Sequence, residues 1–339
     1  MKSKVMAIVF HAHGVPAEVA RAEEIEVAAP LADEALVHLL AAPVNPADLN
    51  VIEGKYPVRP ALPGVTGIEG AGVVAAVGSA VTAVRVGDRV LLPPGYGSWR
   101  EAGVMKAESL CVVPADIAPG QAAMLRINPA TALRMLRDFV ELKTGDWVLL
   151  NAANSGVGRA VIQIAHATGL RTVCVVRRAE LIGELQAIGG DVVLVDGEGL
   201  PAQIAAATGG APLRLALNAV GGDSALRLAQ GLAPGGTIVT YGAMSRQPLR
   251  IPNGLLIFKD LRWRGFWISQ WYREASPEAC AAMFAELFAL AQRGLLHAPV
   301  ERVYPLAEAS AALAHAAQAQ RSGKILFGGD AWFSAQAPA

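Results

Sequence analysis

A run of small residues joins a predicted strand to a predicted helix near the middle of the chain. The strand Trp147–Asn151 enters this run and the helix Val157–Thr168 leaves it. Small side chains let a backbone approach a pyrophosphate closely, and a helix N-terminus offers N–H donors to an anion. The pattern predicts a dinucleotide site, although Ala153 and Ser155 occupy the first two glycine positions of the usual motif and only Gly158 remains. A strand–turn–helix without a ligand is the alternative.

Two arginines follow the next predicted strand, Thr172–Val176. Sites for NAD usually place an Asp or Glu about 20 residues after the glycine motif, at the end of this strand, where it binds the ribose hydroxyl. Here Arg177 lies nineteen residues after Gly158, and Arg178 follows it. A guanidinium binds a phosphate through paired hydrogen bonds, whereas a carboxylate would repel it. The expected cofactor is therefore NADPH, and the alternative is a solvated arginine pair at a strand end.

Strands and helices must alternate around these residues in order to position them. The predicted segments are the strands Trp147–Asn151, Thr172–Val176, Val192–Val195, Leu213–Leu217 and Thr237–Tyr241 and the helices Val157–Thr168, Ala179–Ile188, Pro201–Ala207 and Ser224–Leu232. Strands that are apolar on both faces and alternate with helices indicate a parallel sheet covered on both sides. With right-handed crossovers, the predicted fold class is α/β with a doubly wound parallel sheet.

The sequence on either side of this region has a different pattern. Short strands separated by Gly and Pro, among them Lys4–Phe10, Ala35–Ala42 and Gly70–Val77, predict a β-rich domain in the first third. The later segments predicted are the helices Pro277–Arg293 and Pro305–Gln320, the strand Lys324–Gly328 and a frayed tail over Ala331–Ala339. We expect residues 1–122 and 300–339 to form a β-rich catalytic domain and residues 123–299 to form the dinucleotide-binding domain.

Composition excludes several classes of protein. The 339 residues are 53% hydrophobic, which excludes a disordered chain, and 29 basic side chains balance 29 acidic ones. A formal net charge of zero provides no overall field for nucleic acid or an anionic membrane, so neither is expected as a partner. No apolar stretch suits a membrane helix or a signal peptide, and cysteines are sparse, so a cytoplasmic location is expected. Neither the three cysteines nor the six histidines show metal-ligand spacing, and no metal is expected.

The β-rich N-terminal region, the dinucleotide-binding region and the C-terminal segment after it together resemble the medium-chain dehydrogenase/reductase superfamily. The resemblance covers nearly the whole chain. The resemblance implies a Rossmann domain and a GroES-like catalytic domain. Zinc-dependent alcohol dehydrogenases of this superfamily carry a zinc-binding His in a Gly-His-Glu motif, and Ile68 takes its place in Gly67-Ile68-Glu69-Gly70. Isoleucine cannot bind zinc. The resemblance therefore implies a zinc-free member, which must transfer hydride to an acceptor that is already activated.

Two zinc-free subfamilies fit the motifs. The segments Lys55-Tyr56-Pro57 and Glu69-Gly70-Ala71-Gly72-Val73 look like quinone oxidoreductase. The segments Asn128–Ala132 and, above all, Ile257–Trp271 resemble the mitochondrial-type trans-2-enoyl thioester reductases of fatty acid synthesis. We favour NADPH-dependent reduction of the 2,3 double bond of a trans-2-enoyl-CoA or acyl-carrier substrate. The alternatives are an NADPH-dependent quinone oxidoreductase and a cofactor-binding protein without catalysis.

The resemblance also assigns roles to individual residues. Tyr56 corresponds to the proton donor: hydride reaches Cβ, charge develops on the thioester oxygen, and the phenol supplies a proton to Cα. The alternative is that Tyr56 only lines the pocket. The other matches are cofactor contacts: Asn128 near the nicotinamide ribose; Asn154, Ser155, Gly156 and Val157, with Gly158 in the same loop, at the pyrophosphate; Tyr241, Gly242, Ala243 and Met244 over the adenosine side or the nicotinamide approach; Phe266, Trp267 and Ile268 at the carboxamide; and Lys324 from the C-terminal strand.

Two further partners are expected. Members of this superfamily commonly dimerise by extending the sheet at its last strand, so the resemblance implies a homodimer, and the aromatic block Phe266–Ile268 also fits a packed dimer or core surface. Lys259, Arg262, Arg264 and Arg273 cluster near that block in the sequence. They offer a docking surface for an acidic acyl carrier protein or for the phosphates of CoA. A solvated charged face is the alternative.

Overall fold

The computed structural model describes residues 3–318 and 321–334, which fall into two units. Unit 1 contains the chain up to Ile127 and from Ala298 onward, and unit 2 contains Asn128–His297. The boundaries lie at 127/128 and 297/298 rather than at the expected 122/123 and 299/300. The helix Asn128–Asp138 packs against the helix Gly156–Ala167, which places it in unit 2.

The N-terminal part of unit 1 is rich in short strands, as the sequence predicts. Its elements are β1 (Ser3–Phe10), α1 (Pro16–Val19), β2 (Ala20–Val27), β3 (Glu34–Pro43), α2 (Pro46–Ile52), β4 (Gly64–Val65), β5 (Ala71–Val77), β6 (Arg89–Leu91), β7 (Ala102–Lys106), β8 (Cys111–Val112) and α3 (Pro119–Ala122). A short 3₁₀ helix over Ala107–Ser109 separates β7 from β8.

Unit 2 alternates strands and helices along its whole length. Its elements are α4 (Asn128–Asp138), β9 (Trp147–Leu150), α5 (Gly156–Ala167), β10 (Arg171–Val176), α6 (Ile182–Ala187), β11 (Val192–Val195), α7 (Leu200–Ala207), β12 (Leu215–Asn218), α8 (Gly222–Gly231), β13 (Thr237–Thr240), α9 (Asn253–Ile257), β14 (Arg262–Gly265), α10 (Ile268–Glu274) and α11 (Pro277–Gln292). The chain then returns to unit 1 with β15 (Val300–Pro305), α12 (Ala309–Ala317), β16 (Lys324–Gly328) and α13 (Asp330–Ser334).

The sheet of unit 2 confirms the doubly wound prediction. Its six described strands are all parallel, in the order β11-β10-β9-β12-β13-β14. This is the Rossmann order, in which β9 and β12 are the neighbours where the direction of winding reverses. All four residues of β9 and all four of β12 are buried, because helices cover both faces of the sheet. Ligands of such sheets bind at the carboxyl ends of the strands at this reversal.

The described strands of unit 1 form two sheets with mainly antiparallel pairing. One has the order β2-β1-β4, and the other has the order β15-β16-β3-β5-β6-β8, with β7 paired to β3. Their apolar faces share a core in which Trp99 and Phe327 meet edge to face, with ring centroids 5.1 Å apart. The strand β16 pairs with β3, so the C-terminal return completes the core of the N-terminal domain.

Several predicted segments differ from the structure at their ends. Residues 179–181 form a 3₁₀ turn before α6, so only part of the predicted helix Ala179–Ile188 is α-helical. The predicted helix Pro305–Gln320 begins later, at Ala309, because Pro305 ends β15, and its residues 319 and 320 lie outside the described part. Residues 331–334 belong to α13, which corrects the predicted frayed tail; residues 335–339 lie outside the described residues. Among the described helices, none is long and apolar enough to cross a membrane.

Candidate active site

The turn between β9 and α5 has the close packing that a phosphate-binding backbone requires. Ser155 caps α5, and its Oγ accepts a hydrogen bond from the backbone N of Gly158 at 3.1 Å. A Cβ atom at Gly158 would lie 2.5 Å from the carbonyl oxygen of Ala153 and 2.6 Å from that of Ala152. Ala152 itself has a φ of 47°, which a residue with a side chain rarely adopts. Only glycine at position 158 allows the first turn of α5 to lie this close to the loop.

A row of polar side chains crosses the carboxyl ends of β9, β12 and β13. Asn151 Nδ2 donates to Asn218 Oδ1 at 2.9 Å, and Asn151 Oδ1 accepts from the backbone N of Ala219 at 2.8 Å. Asn218 Nδ2 in turn donates to Thr240 Oγ1 at 3.1 Å. Asn151 and Asn218 are buried, so these bonds fix the loops on both sides of the winding reversal. Sequence analysis did not identify Asn151 as part of the site; an amide at the end of an apolar strand was the available signal.

Tyr241 brings a buried phenol to the loop after β9. Its side chain is only half-buried as a whole, yet its hydroxyl is buried and has no hydrogen-bond partner in the described part of the chain. Burial raises the pKa of Tyr241, and the nearby Ser155 hydroxyl opposes that rise. A buried hydroxyl without a partner is costly in an empty protein. An acceptor atom of a bound nucleotide beside Ser155 would supply the missing partner.

The segment after Tyr241 follows the same strand end. The backbone N of Met244 donates to the carbonyl oxygen of Ala219 at 2.9 Å, and a Cβ atom at Gly242 would lie 3.0 Å from that same oxygen. Ala243 and Met244 are exposed. The turn therefore packs closely against the β12 loop through its backbone and presents its side chains to solvent.

The two arginines lie where the sequence predicts them, directly after the last residue of β10. Arg177 is exposed and forms no ion pair with any described residue. Arg178 is half-buried, and its Nε lies 3.3 Å from Oε1 of Glu180. The pair stands on the strand next to β9, at the same edge of the sheet as the Ser155 loop. This is the position from which a ribose substituent is bound in Rossmann domains.

The aromatic block follows β14 at the end of the sheet. Phe266 extends the pairing, because its backbone N donates to the carbonyl oxygen of Thr240 at 3.0 Å, and its ring packs edge to face on Phe139. Trp267 precedes α10, with the Arg273 guanidinium 4.7 Å above its ring, and Ile268 is buried. Asn128, which was predicted to contact the cofactor near the nicotinamide ribose, is the first residue of α4.

Tyr56 belongs to unit 1, four residues after the end of α2. Its ring is half-buried and packs against the core of that unit. The helix that leads to it is held at its start by a capping box, in which Asp48 Oδ2 accepts from the backbone N of Asn45 at 2.9 Å. Asp48 Oδ1 accepts from the backbone N of Ile68 at 2.9 Å, which ties α2 to the loop before β5. The capping box and the bond to Ile68 together fix the position of α2, the helix that precedes Tyr56.

Lys324 also belongs to unit 1, as the first residue of β16. It is half-buried, and its Nζ donates to Oδ1 of Asn45. Asn45 Nδ2 donates to Oε1 of Glu69 at 2.8 Å, and Glu69 has no exposed surface. Sequence analysis did not identify Asn45, Asp48 or Glu69 as a functional group, because residues 45, 69 and 324 meet only in the folded chain.

The described residues contain no group of three or more His, Cys, Asp and Glu side chains that could hold a metal ion. Ile68, at the position of the zinc-binding His of the alcohol dehydrogenases, is half-buried and donates its backbone N to Asp48.

Comparison with known proteins covers both units. The family model "Alcohol dehydrogenase GroES-like domain" matches residues 31–133, and "Zinc-binding dehydrogenase" matches residues 156–286. The mitochondrial enoyl-[acyl-carrier-protein] reductase of Mus musculus is 46% identical over 310 residues, which cover 90% of this chain and 83% of the relative.

Two solved structures extend the similarity. A putative NADPH:quinone reductase from Bacillus thuringiensis superimposes with a TM-score of 0.90 at 29% identity, covering 96% of this chain and 99% of its own. The Etr1p/NADP/crotonyl-CoA complex superimposes with a TM-score of 0.88 at 27% identity, covering 96% and 100%.

These comparisons correct one expectation and settle the family. The cytoplasmic location expected from the sequence is contradicted, because the similar reductases are named as mitochondrial enzymes. The α/β Rossmann fold with a GroES-like domain is confirmed by the strand order and by the family models. The chain belongs to the mitochondrial-type enoyl thioester reductase family of oxidoreductases, within the medium-chain dehydrogenase/reductase superfamily.

Proposed function

We propose that the chain reduces the 2,3 double bond of trans-2-enoyl thioesters, carried on CoA or on an acyl carrier protein, with NADPH as the reductant. The observation that carries the choice of acceptor is the 46% identity to an enzyme named enoyl-[acyl-carrier-protein] reductase, spread over both units. The neighbouring complex with crotonyl-CoA, a short enoyl thioester, supports the same acceptor.

The residues of unit 2 fit NADPH. The N-terminus of α5 and the Ser155 loop suit a pyrophosphate, because N–H donors and a helix dipole favour negative charge there. Asn154 and Ser155 to Gly158 would hold that group, and the Tyr241 hydroxyl gains a partner beside them. Arg177 and Arg178 would bind the 2′-phosphate that distinguishes NADPH from NADH. Asn128, Gly242 to Met244, Phe266 to Ile268 and Lys324 remain the proposed contacts to the rest of the cofactor.

In the proposed mechanism, Tyr56 acts as the acid. Bound NADPH supplies the hydride that adds to Cβ of the enoyl thioester. Negative charge then develops on the thioester oxygen as an enolate, and the phenol of Tyr56 first donates a hydrogen bond to it and then a proton to Cα. The phenol of Tyr56 carries an O–H group, so it can act first as a hydrogen-bond donor and then as a proton donor. The products are the saturated thioester and NADP⁺.

The proposed chemistry needs no zinc. A thioester conjugated to a double bond already withdraws electrons from Cβ, whereas an alcohol must be converted to an alkoxide before it can lose a hydride. Ile68 offers no ligand atom at the position that binds zinc in the alcohol dehydrogenases. Metal analysis of the purified active protein tests this point: full turnover with less than about one zinc per ten chains supports it.

The second candidate is an NADPH-dependent quinone reductase, favoured by the structural match to a putative enzyme of that kind. The two are separated by following NADPH oxidation with crotonyl-CoA and with a small quinone in parallel. Faster turnover of the thioester, with butyryl-CoA as product, supports the proposed function. Faster turnover of the quinone assigns the second function, and tight NADPH binding without turnover of either acceptor assigns a cofactor-binding protein without catalysis.

We also propose that two copies pair through the end of the unit 2 sheet. Among the described strands, β14 is the last in the sheet order, so one of its edges has no strand beside it. Nearby, Ile257 is 70% exposed and Phe258 is 86% exposed, which is unusual for a face in contact with water only. Phe258→Asp is expected to convert a dimer to a monomer in sedimentation; a wild-type chain that is monomeric at assay concentration contradicts the pairing.

An acidic carrier protein is the proposed macromolecular substrate. Arg262, Arg264 and Arg273 are exposed, and Lys259 Nζ donates to the carbonyl oxygen of Gln230 at 2.7 Å, which fixes its position at the same sheet end. Complementary charge steers an acidic partner to such a surface. The double variant Lys259→Glu/Arg273→Glu is expected to raise KM for an acyl-carrier substrate more than KM for crotonyl-CoA. If the variant has the same KM as the wild type for the acyl-carrier substrate, and also for crotonyl-CoA, docking at this surface is contradicted.

A further inference from the structure

A continuous chain of hydrogen bonds links four separate segments of unit 1. Lys324 Nζ donates to Asn45 Oδ1, Asn45 Nδ2 donates to Glu69 Oε1 at 2.8 Å, and the backbone N of Ile127 donates to Glu69 Oε2 at 2.9 Å. Glu69 and Asn45 are buried, with exposures of 0% and 2%. A bonded carboxylate in such a place has a defined geometry because no water competes for its oxygens.

The direction of each bond is fixed by the chemistry of its donor. An ammonium only donates, so Lys324 forces the oxygen of the Asn45 amide toward itself and turns the NH₂ group toward Glu69. The backbone N–H of Ile127 also only donates. Both oxygens of Glu69 therefore act as acceptors, which is the pattern of an ionised carboxylate. One bond occupies one of the three donors of Lys324 and leaves two for other acceptors.

Three of the four linked segments carry a proposed site residue or lead to one. Lys324 is itself a proposed cofactor contact. Ile127 immediately precedes Asn128, another proposed contact. Asn45 is the N-cap of α2, whose end lies four residues before Tyr56.

We propose that Glu69 is a positioning residue: its ionised carboxylate holds Lys324 through Asn45 and is itself held by the backbone N–H of Ile127, so that Lys324 is pre-arranged to bind NADPH. The inference deepens the proposed function and depends on NADPH being the cofactor. Glu69 need not touch substrate or cofactor, because it acts through Asn45.

The electrostatics of this cluster give the proposal a pH signature. Burial raises the pKa of Glu69 from an ordinary 4.5 to about 7, opposed first by the charge of Lys324, while the charge of Asp48 raises it further. Burial also raises the pKa of Asp48 to about 6. Burial lowers the pKa of Lys324, and Arg321 lowers it as well, while Glu69 and Asp48 act in the opposite sense. Lys324, Asp48 and, through Lys324, Arg321 are therefore the charged groups that act on Glu69.

The sign of the effect on stability follows from the raised pKa. The folded protein holds the Glu69 proton more tightly than the unfolded chain, so this group favours folding at low pH and that contribution is lost as pH rises from about 4.5 through about 7. The hydrogen-bonded network needs the ionised form, so NADPH binding should strengthen over the upper part of the same range. Between about pH 6 and about pH 8 the two properties should change in opposite directions.

The test is Glu69→Gln, with NADPH affinity measured by fluorescence titration in the absence of any acceptor. The amide NH₂ of glutamine must face either Asn45 Nδ2 or the N–H of Ile127, so one bond is lost without a change of volume. We expect NADPH to bind about tenfold more weakly at pH 8, or worse, since a bond to a charged group is lost. We also expect the variant to lose the rise of affinity with pH. Its unfolding free energy should fall less with pH than that of the wild type, because the contribution of Glu69 is lost while that of Asp48 remains.

Glu101→Gln is the matched control. Glu101 Oε2 accepts from the backbone N of Met6 at 2.7 Å in the same unit, a bond that involves none of the residues Lys324, Asn45, Glu69 and Ile127. This variant should lose some stability and keep the wild-type affinity and pH profiles. Equal NADPH affinity and equal pH profiles in Glu69→Gln and the wild type would overturn the proposal.

Two further measurements keep the proposal testable. If Glu69→Gln does not fold, Asn45→Asp replaces it: the new carboxylate can accept from Lys324 but cannot donate to Glu69, and affinity should fall in the same way. In the wild type itself, an NADPH affinity that does not change between about pH 6 and about pH 8 would also overturn the proposal. A wild type that binds NADPH but reduces no enoyl thioester would refute the proposed function and leave this inference standing.

Discussion

Gly158, in the first turn of α5, provides the sharpest test of the proposal that the turn between β9 and α5 binds NADPH. In the interior of a helix, replacing glycine by alanine normally stabilises a protein by about 0.5–1 kcal/mol. At this position the added Cβ would lie 2.5 Å from the carbonyl oxygen of Ala153 and 2.6 Å from that of Ala152, and both contacts are to backbone. A backbone cannot rotate away as a flexible side chain can, so the loop itself must shift.

The expected result of Gly158→Ala follows from the balance of these two effects. Forcing an extra methyl group into a packed site costs about 1–3 kcal/mol, which exceeds the gain in helix propensity. We therefore expect a net loss of about 0–2.5 kcal/mol in unfolding free energy. Because the shift moves the loop and the Ser155 cap, NADPH affinity should fall about tenfold or more, which corresponds to about 1.4 kcal/mol.

Gly183→Ala is the matched control for this substitution. Gly183 lies within α6, and nothing lies within 4 Å of a Cβ added there. The control should gain stability by the ordinary helix-propensity amount and bind NADPH like the wild type. Thermal unfolding and NADPH titration of both variants measure the contrast. A Gly158→Ala protein that gains stability like the control and binds NADPH with wild-type affinity would refute the reasoning.

Three further substitutions probe the remaining site residues. Arg177→Glu is expected to weaken NADPH binding at least about tenfold while changing NADH binding little, because a charged bond to the 2′-phosphate contributes about 1.5–3 kcal/mol. The control Arg171→Glu, at the opposite end of β10, should keep the wild-type preference for NADPH over NADH. An unchanged preference for NADPH over NADH in Arg177→Glu would exclude the phosphate contact. Tyr56→Phe should lower kcat by about 10²–10⁴ with little change in NADPH affinity, and full activity would exclude Tyr56 as the acid. Tyr241→Phe should leave the unfolding free energy of the cofactor-free protein unchanged or higher, because the lost hydroxyl has no hydrogen-bond partner among the described residues. The same variant should bind NADPH more weakly. A loss of about 1 kcal/mol in the unfolding free energy of the cofactor-free protein would contradict this reasoning.

The features predicted correctly from the sequence depend on local spacing. The strand β11 and the strand β16 have the predicted bounds, because each is a short apolar run between turn residues. The positions of Ser155 and Arg177 follow in the same way from their distance to the ends of β9 and β10. Parallel strands place their carboxyl ends at one edge of a sheet, so alternation alone predicted the edge at which the nucleotide loop lies.

The features that were missed depend on contacts between distant residues. Asn45, Glu69 and Lys324 are polar residues in three unrelated segments, and only the pairing of β16 with β3 brings Lys324 near Asn45. The Tyr241 hydroxyl, which has no hydrogen-bond partner among the described residues, was missed in the same way, because its burial depends on tertiary packing. The helix over residues 331–334 was missed because its few residues have little intrinsic helical signal and pack against β3 and β16.

The most direct test of the proposed reaction is to locate the hydrogen atoms in its product. The purified protein would reduce crotonyl-CoA with NADPH deuterated at the transferred position in ordinary water, and with unlabelled NADPH in deuterated water. The account predicts butyryl-CoA with deuterium at Cβ in the first case and at Cα in the second, with the rate of both reactions reduced in Tyr56→Phe. Absence of butyryl-CoA, or deuterium from the cofactor at any position other than Cβ, would contradict it.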